Sequence, residues 1–247
     1  MYLPYKVLLT ITEYGGNNML TIITTFIGIV LTIITTVVFE KLRNPKLVFL
    51  EENDSSDNLP QGAPAHHIKL LRVKLINKEM PKLFSWLRRE PANHCSVDIQ
   101  VLYHDDKKPL FAKPISARWS HSDPPSTIHL DPQTQGVVQL FDWSKYNEIM
   151  NRDCFTGIPE PIDIVARFDS DNDCYIYNND SFYPNYINWR SEKKKIPQGR
   201  YYLIITARYS GLITCGFFEL ENNLSIDHFR LTSISPAEFK VFDKLFK

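Results

Sequence analysis

The sequence predicts a mainly β chain: an antiparallel sandwich behind one N-terminal transmembrane helix, with a short amphipathic helix at the C-terminus. Three observations carry this. Residues 14–39 contain no charged side chain. Most of the remaining chain consists of short, alternating apolar segments separated by loops rich in Pro, Ser, Asn and Asp. Apolar residues at helical spacing return only at the end. The resulting divisions are a leader over 1–18, a membrane span over 19–39 and a juxtamembrane strand and linker over 40–66. The β-sandwich follows over 67–234 and the terminal helix over 235–247.

The span reads MLTIITTFIGIVLTIITTVVF from Met19 to Phe39. At ~1.5 Å per residue this matches the ~30 Å hydrocarbon core of a bilayer. A backbone in lipid must satisfy its own hydrogen bonds, which requires a helix here. The hexapeptide LTIITT occurs at Leu20–Thr25 and again at Leu31–Thr36. The offset rotates the second copy by only about 20°, so all the threonines and Gly28 fall on one face of the helix. Thr21, Thr25, Gly28, Thr32 and Thr35 form a candidate association face for a second copy or a partner transmembrane helix. Alternatively, each hydroxyl bonds back to its own helix and needs no partner. Lys41, Arg43 and Lys46 follow the span, whereas only Lys6 and Glu13 precede it. This asymmetry predicts a single-pass protein of the cell membrane with its C-terminal domain in the cytoplasm. The flank VVFEKLRNP offers no small-residue cleavage pattern, which argues against a removable signal. Met19 is a second candidate start.

After the span, residues 46–51 form a first strand and residues 55–65 a Pro- and Ser-containing loop. Ile68 to Asn77 alternates, with a change of parity at Leu70–Leu71 that predicts a bulge. Residues 80–90 predict one or two helical turns. Cys95, Val97, Ile99, Val101 and Tyr103 then alternate against polar residues and define the clearest half-buried strand. Further strands are predicted at 115–119, 137–141 and 162–168, with a late hairpin pairing 199–209 to 212–220 through Ser210–Gly211.

The segment IPQGRYYLIITARY, residues 196–209, resembles the Pro-x-Gly-x-Tyr turn and strand found late in immunoglobulin-like sandwiches. With the strand spacing around it, the chain is similar to prokaryotic, membrane-anchored, immunoglobulin-like proteins of unknown function. That resemblance implies a fold and no chemistry, because such sandwiches host many functions. At the C-terminus, Ser235-Pro-Ala-Glu238 forms a capping box ahead of Phe239, Phe242, Leu245 and Phe246 at helical spacing. The predicted helix either docks on its own domain or lies on the inner leaflet.

Basic and acidic residues balance at 28 each, giving a net charge of zero. No basic stripe is present, which excludes the usual electrostatic footprint of nucleic-acid binding. Cys95, Cys154, Cys174 and Cys215 are too sparse for a disulfide scaffold, and their spacing matches no zinc site. Cys95 and Cys215 are predicted as buried thiols, and Cys154 with Cys174 as the pair to suspect in an oxidising compartment. Trp119 and Trp143 are assigned to the core, whereas Trp86 and Trp189 fit either core or surface.

Three segments are candidates for chemistry. Asp169, Asp171, Asp173 and Asp180 occupy positions 1, 3, 5 and 12 of a calcium-loop register, but Cys174 replaces the turn glycine and Asp180 the bidentate glutamate. These are weak ligands, and no metal or other cofactor is assigned. His121-Ser-Asp123 and His129-Leu-Asp131 are short imidazole–carboxylate pairs without a nucleophile motif nearby. The segment YIYNNDSFYPNYINW interleaves aromatics with amides, a composition suited to recognition. Its Tyr175, Tyr177, Phe182, Tyr183, Tyr186 and Trp189 form the candidate ligand or partner surface, and the competing reading is a loop pinned by its own rings.

These features favour a membrane-anchored, non-catalytic binding or scaffold protein whose expected partners are the bilayer, an unknown protein and, through the helix, either its own copies or a partner transmembrane helix. A sensor binding a small molecule or sugar at 175–189 is the first alternative. A metal-dependent hydrolase using the histidines near residue 121 is the second.

Overall fold

A computed structural model of the chain describes residues 18–52, 68–130, 137–183, 190–223, 225–237 and 239. The predicted leader, most of the linker and the body of the predicted C-terminal helix lie outside the described residues, as do Tyr186 and Trp189. The chain divides into two units, residues 1–44 and 45–247.

Among the described residues, the first unit holds helix α1 (Asn18–Arg43), with Lys41 and Arg43 in its last turn. From Thr21 it is long and apolar enough to cross a membrane, and none of its apolar window is buried within the protein. Among its threonines, Thr24 and Thr25 donate to the Thr21 carbonyl, and Thr32 to that of Gly28. Thr35 and Thr36 donate to the carbonyls of Leu31 and Thr32. These hydroxyls are therefore satisfied within the helix. The stripe they line is centred on Gly28, where the helix has no side chain.

The second unit is mainly β. Its strands are β1 (Leu47–Glu52), β2 (Ile68–Asn77), β3 (Ala92–Tyr103), β4 (Ile115–Ser116), β5 (Arg118–Trp119), β6 (Ser126–Leu130) and β7 (Val137–Phe141). Helix α2 (Trp143–Glu148) comes next, followed by β8 (Arg152–Cys154), β9 (Pro159–Phe168), β10 (Cys174–Ile176) and β11 (Lys195–Ile196). Among the described residues, β12 (Gly199–Tyr209), β13 (Leu212–Asn222) and β14 (Arg230–Ser233) follow. One antiparallel sheet has the order β1-β2-β9-β10-β11, with β5 also on β9. The other has the order β14-β13-β12-β3-β4, with β8 also on β3. β6 and β7 form a separate ribbon.

Alternation along the strands faces the two sheets toward each other. Val73, Leu75, Ile162 and Ile164 from the first sheet share one buried cluster with Val97, Ile99, Leu203, Ile205 and Phe218 from the second. The sheets approach so closely at β13 that a Cβ on Gly216 would lie 2.7 Å from the Phe49 ring. The predicted bulge in β2 is a register shift between Leu71 and Arg72. The late hairpin turns through Ser210 (φ 45°) and Gly211 (φ 77°), the pair of left-handed residues that a tight two-residue turn requires.

Two expectations need correction. Residues 115–119 are not one strand: β4 pairs with β3 and β5 with β9, so the chain changes sheets at Ala117. Trp119 is buried as expected, but Trp143 is 59 % exposed. It opens a one-and-a-half-turn helix whose first amides are capped by Asp142, a placement set by the cap and not by the core. From the predicted terminal segment, Phe239 is buried on the outer face of the second sheet, 4.8 Å from Tyr202 and 5.8 Å from Phe217.

Two buried amides fasten the ends of the sandwich. Asn222 donates to the carbonyls of Asn172, Ile196 and Pro197 and accepts from Arg167, itself almost fully buried. At the opposite end, Asn77 accepts from the Lys46 amide at 3.0 Å. It also donates to the carbonyls of Glu90 at 2.9 Å and Cys154 at 3.4 Å. Buried amides saturated in this way fix loop positions that apolar packing alone leaves free.

Candidate recognition surface

The aromatic segment does not act by itself. β7 ends at Phe141, and Asp142 then caps α2 by accepting from the amides of Ser144 and Lys145. Trp143 and Tyr146, three residues apart, therefore stand beside Phe141. Phe141 lies 4.8 Å from Trp143, 5.7 Å from Tyr146 and 5.2 Å from Tyr183. Trp143 and Tyr183 are 6.0 Å apart at 61°, an edge-on contact. The result is a tilted aromatic cluster whose most open member is Trp143, with Leu140 exposed beside it in the sequence.

A polar scaffold holds this cluster. The Tyr146 hydroxyl donates to Asp180 at 2.7 Å, and Lys194 donates to the other Asp180 oxygen at 2.8 Å and to Asn178 at 2.5 Å. Burial pushes the Asp180 carboxyl upward, but the donors Lys194, Tyr146 and Asn178 outweigh it and hold the group below the usual carboxylate range. Asn178 and Ser181 form a reciprocal capping box over the turn Asn179–Phe182. Arg118 donates to Asn179 at 2.7 Å, and its guanidinium sits 4.7 Å above the Phe182 ring. Behind it, Asp163 accepts from Arg72 at 2.8 Å and from Ser120 at 2.6 Å.

Of the segment's aromatics, Tyr175 is buried in β10 and Tyr177 is partly covered beside Phe182, 5.8 Å away. Burial, reinforced by the Asp163 charge, pushes the Tyr177 hydroxyl up to about 12. Phe182 is covered on one side by Arg118, and Tyr183 joins the cluster described above. Phe141, Trp143 and Tyr146 were missed by sequence reasoning. The available signal was the Asp-Trp-Ser start, which marks a helix cap and so a surface position.

The other candidate groups are occupied with neighbours. Asp171 forms two hydrogen bonds with Arg190, at 2.9 and 2.8 Å, and Asp173 pairs with Lys195 at 2.9 Å. Asp169 lies exposed in the turn after β9. Asp123 faces Lys145 at 3.4 Å, and the His129 ring meets Thr127 at 3.1 Å. Asp131 is outside the described residues. Among the described residues, no group of three His, Cys, Asp or Glu side chains is arranged to hold a metal ion. Cys154 neighbours Cys95 and not Cys174: β8 runs beside the start of β3, and the buried Cys95 thiol donates to the Ala92 carbonyl at 3.1 Å. The nearness of the two sulfurs holds the Cys95 thiol down and, together with burial, pushes that of Cys154 up. Cys215 is only half-buried, on the outer face of the second sheet.

Comparison of the chain with known families, with curated proteins and with solved structures gives no match. The cluster presents flat rings backed by the hydrogen bonds that join Tyr146, Asp180, Lys194 and Asn178.

Proposed function

We propose that this chain is a single-pass, membrane-anchored binding or scaffold protein that works without catalysis, through a cytoplasmic immunoglobulin-like sandwich. The observation that carries the binding role is the cluster of Phe141, Trp143, Tyr146 and Tyr183, in which an exposed tryptophan rests on rings fixed by Asp180 and Lys194. Exposed aromatics held rigid beforehand contribute contact area at low entropic cost, as interface hot spots do. The anchor is supported by the apolar helix, and the orientation by the basic residues that end it.

Strand order supports the immunoglobulin-like reading. β1, β2 and β9 stand where the first, second and fifth strands of such a sandwich pair, and β3, β12 and β13 where the third, sixth and seventh do. β10 departs from that pattern, because it follows β9 in the chain instead of preceding it.

The test is gentle detergent extraction of the full chain followed by identification of co-purifying proteins, alongside Trp143→Ala and Tyr183→Ala variants. A partner retained by the wild type and lost from both variants, at unchanged thermal stability, is the expected result. Partners retained equally by all three chains would remove the cluster from the binding role.

A further inference from the structure

The end of the sandwich where β1 begins carries a second, chemically different surface. β1 opens with Leu47 paired to Asn77, and the flanking backbone closes with Lys78 donating to the Lys46 carbonyl at 3.0 Å. Asn77 also binds the loops that follow β2 and β8. Its carboxamide reaches the Glu90 and Cys154 carbonyls, its own carbonyl accepts from Gly157 at 2.8 Å, and Thr156 donates to the Arg89 carbonyl at 3.2 Å. The start of the domain and both loops are thus one hydrogen-bonded platform.

On that platform the apolar residues point outward. Leu83 is 80 % exposed, Trp86 69 %, Phe155 52 % and Ile158 51 %. A cleft of about 580 Å³ runs between the loops, lined by Leu87, Arg88, Arg89 and Phe155 among others. Lys46, Lys78, Lys82 and Arg88 are exposed around it, against Glu79 and Glu90. Tryptophan and bulky aliphatics rimmed by basic groups are the side-chain chemistry of a bilayer interface, where rings sit at headgroup level and cations meet phosphate.

Chain length decides the occupant. Only Asn44, Pro45 and Lys46 separate Arg43, the last residue of α1, from Leu47, the first of β1. However it is arranged, that connection spans at most about 14 Å. If α1 crosses a bilayer, no protein domain of ordinary size fits between this end and the lipid surface. We infer that the end of the domain formed by loops 78–91 and 154–159 docks on the anionic headgroup layer, with Leu83, Trp86, Phe155 and Ile158 at the interface and Lys78, Lys82 and Arg88 on phosphates. This rests on the membrane reading of α1 and deepens it: the domain is held flush with the surface, not suspended on a flexible stalk.

Four tryptophans are present and none lies in the span, so quenching by brominated lipid reports on the domain alone. The full chain is reconstituted into vesicles of phosphatidylcholine with phosphatidylserine, with and without brominated acyl chains, and vesicle flotation is measured on the same samples. Docking predicts strong quenching in the wild type, loss of most of it in Trp86→Phe, and a marked reduction in Lys82→Glu/Arg88→Glu. Thermal stability of these surface variants should be unchanged. Chain that floats with the vesicles but shows no quenching, or quenching indifferent to Trp86→Phe, overturns the docking while leaving the anchor intact. Trp86 shielded only when a co-extracted protein is added gives the surface to a protein partner and likewise overturns it. Chain that fails to float refutes the membrane reading itself, and the docking with it.

Discussion

Replacing Asn77 by alanine tests whether a single buried carboxamide holds one end of the sandwich together. The side chain is fully buried and makes one accepted bond, from the Lys46 amide, and donates to the carbonyls of Glu90 and Cys154 and, at 3.5 Å, to the Thr156 hydroxyl, which itself bonds the Arg89 carbonyl and needs no replacement. Lys46 and Glu90 are solvent-exposed residues, so water replaces Asn77 there and each lost bond costs about 0.5–1.5 kcal/mol net. The Cys154 carbonyl belongs to a buried residue, and stranding it costs about 1–3 kcal/mol. Together these give roughly 2–6 kcal/mol. For a domain of this size each kcal/mol shifts the melting temperature by about 2–4 °C, so a fall of roughly 8–16 °C is expected near the middle of that range. Near-ultraviolet circular dichroism of the full chain in detergent is the assay, since the tertiary signal comes from the aromatic-rich β unit. Asn77→Asp keeps the acceptor for Lys46 but turns a carboxylate toward two carbonyl oxygens, so at neutral pH it should cost at least as much as alanine. A fall below about 2 °C for alanine, or an aspartate variant as stable as wild type, would refute the reasoning.

Four further outcomes are expected. Gly216→Ala places a methyl 2.7 Å from the Phe49 ring, and prising the sheets apart should cost about 1–3 kcal/mol in denaturant titration; an unchanged midpoint would mean that Phe49 yields freely. Asp180 has a lowered pKa in the folded state, so its contribution to stability is complete above the ordinary carboxylate pKa of ~3.9 and disappears as pH falls through the lower folded value. Asp180→Asn should flatten that acid loss in melts between neutral pH and pH ~3, and an equally steep loss in the variant contradicts the assignment. Among the thiols, Cys215 should react with maleimide in the folded chain well before Cys95, Cys154 and Cys174, all of which are buried; simultaneous labelling would mean that the core opens readily. In a cysteine crosslinking scan of α1, association through the small stripe predicts signal peaking at Thr21, Thr25, Gly28 and Thr32, whereas signal equal around the helix discards it.

The parts of the fold legible in the sequence are those governed by local periodicity. The span, the bulged β2, the alternating β3 and the β12–β13 hairpin each declare themselves through residues adjacent in the chain. What was not legible depends on partners far away. Ile115 to Trp119 alternates like one strand, yet the chain crosses between sheets at Ala117, because Ser116 faces Asp98 while Arg118 is drawn to Asp163 and Asn179. β9 is buried along almost its whole length, since Tyr177 packs against Ala166 and Phe168 on the side away from the main core and Arg190 lies over the Phe168 ring, and no pattern within Pro159–Phe168 reveals that cover. The aromatic cluster shows the same limit. Tyr183 was visible as part of an unusual composition, but Phe141, Trp143 and Tyr146 join it from another segment, brought there by the Tyr146–Asp180 bond. The platform around Asn77 was equally hidden, because an asparagine at the end of a strand resembles any turn residue until its partners are known.

The central claim is that an apolar helix fixes the β domain to a membrane, and extraction of the full-length chain from cell membranes tests it most directly. After an alkaline carbonate wash, which strips peripheral proteins, the account predicts that the chain stays in the membrane pellet and leaves it only with detergent. Recovery of the intact chain in the carbonate supernatant, as a folded monomer, would contradict it.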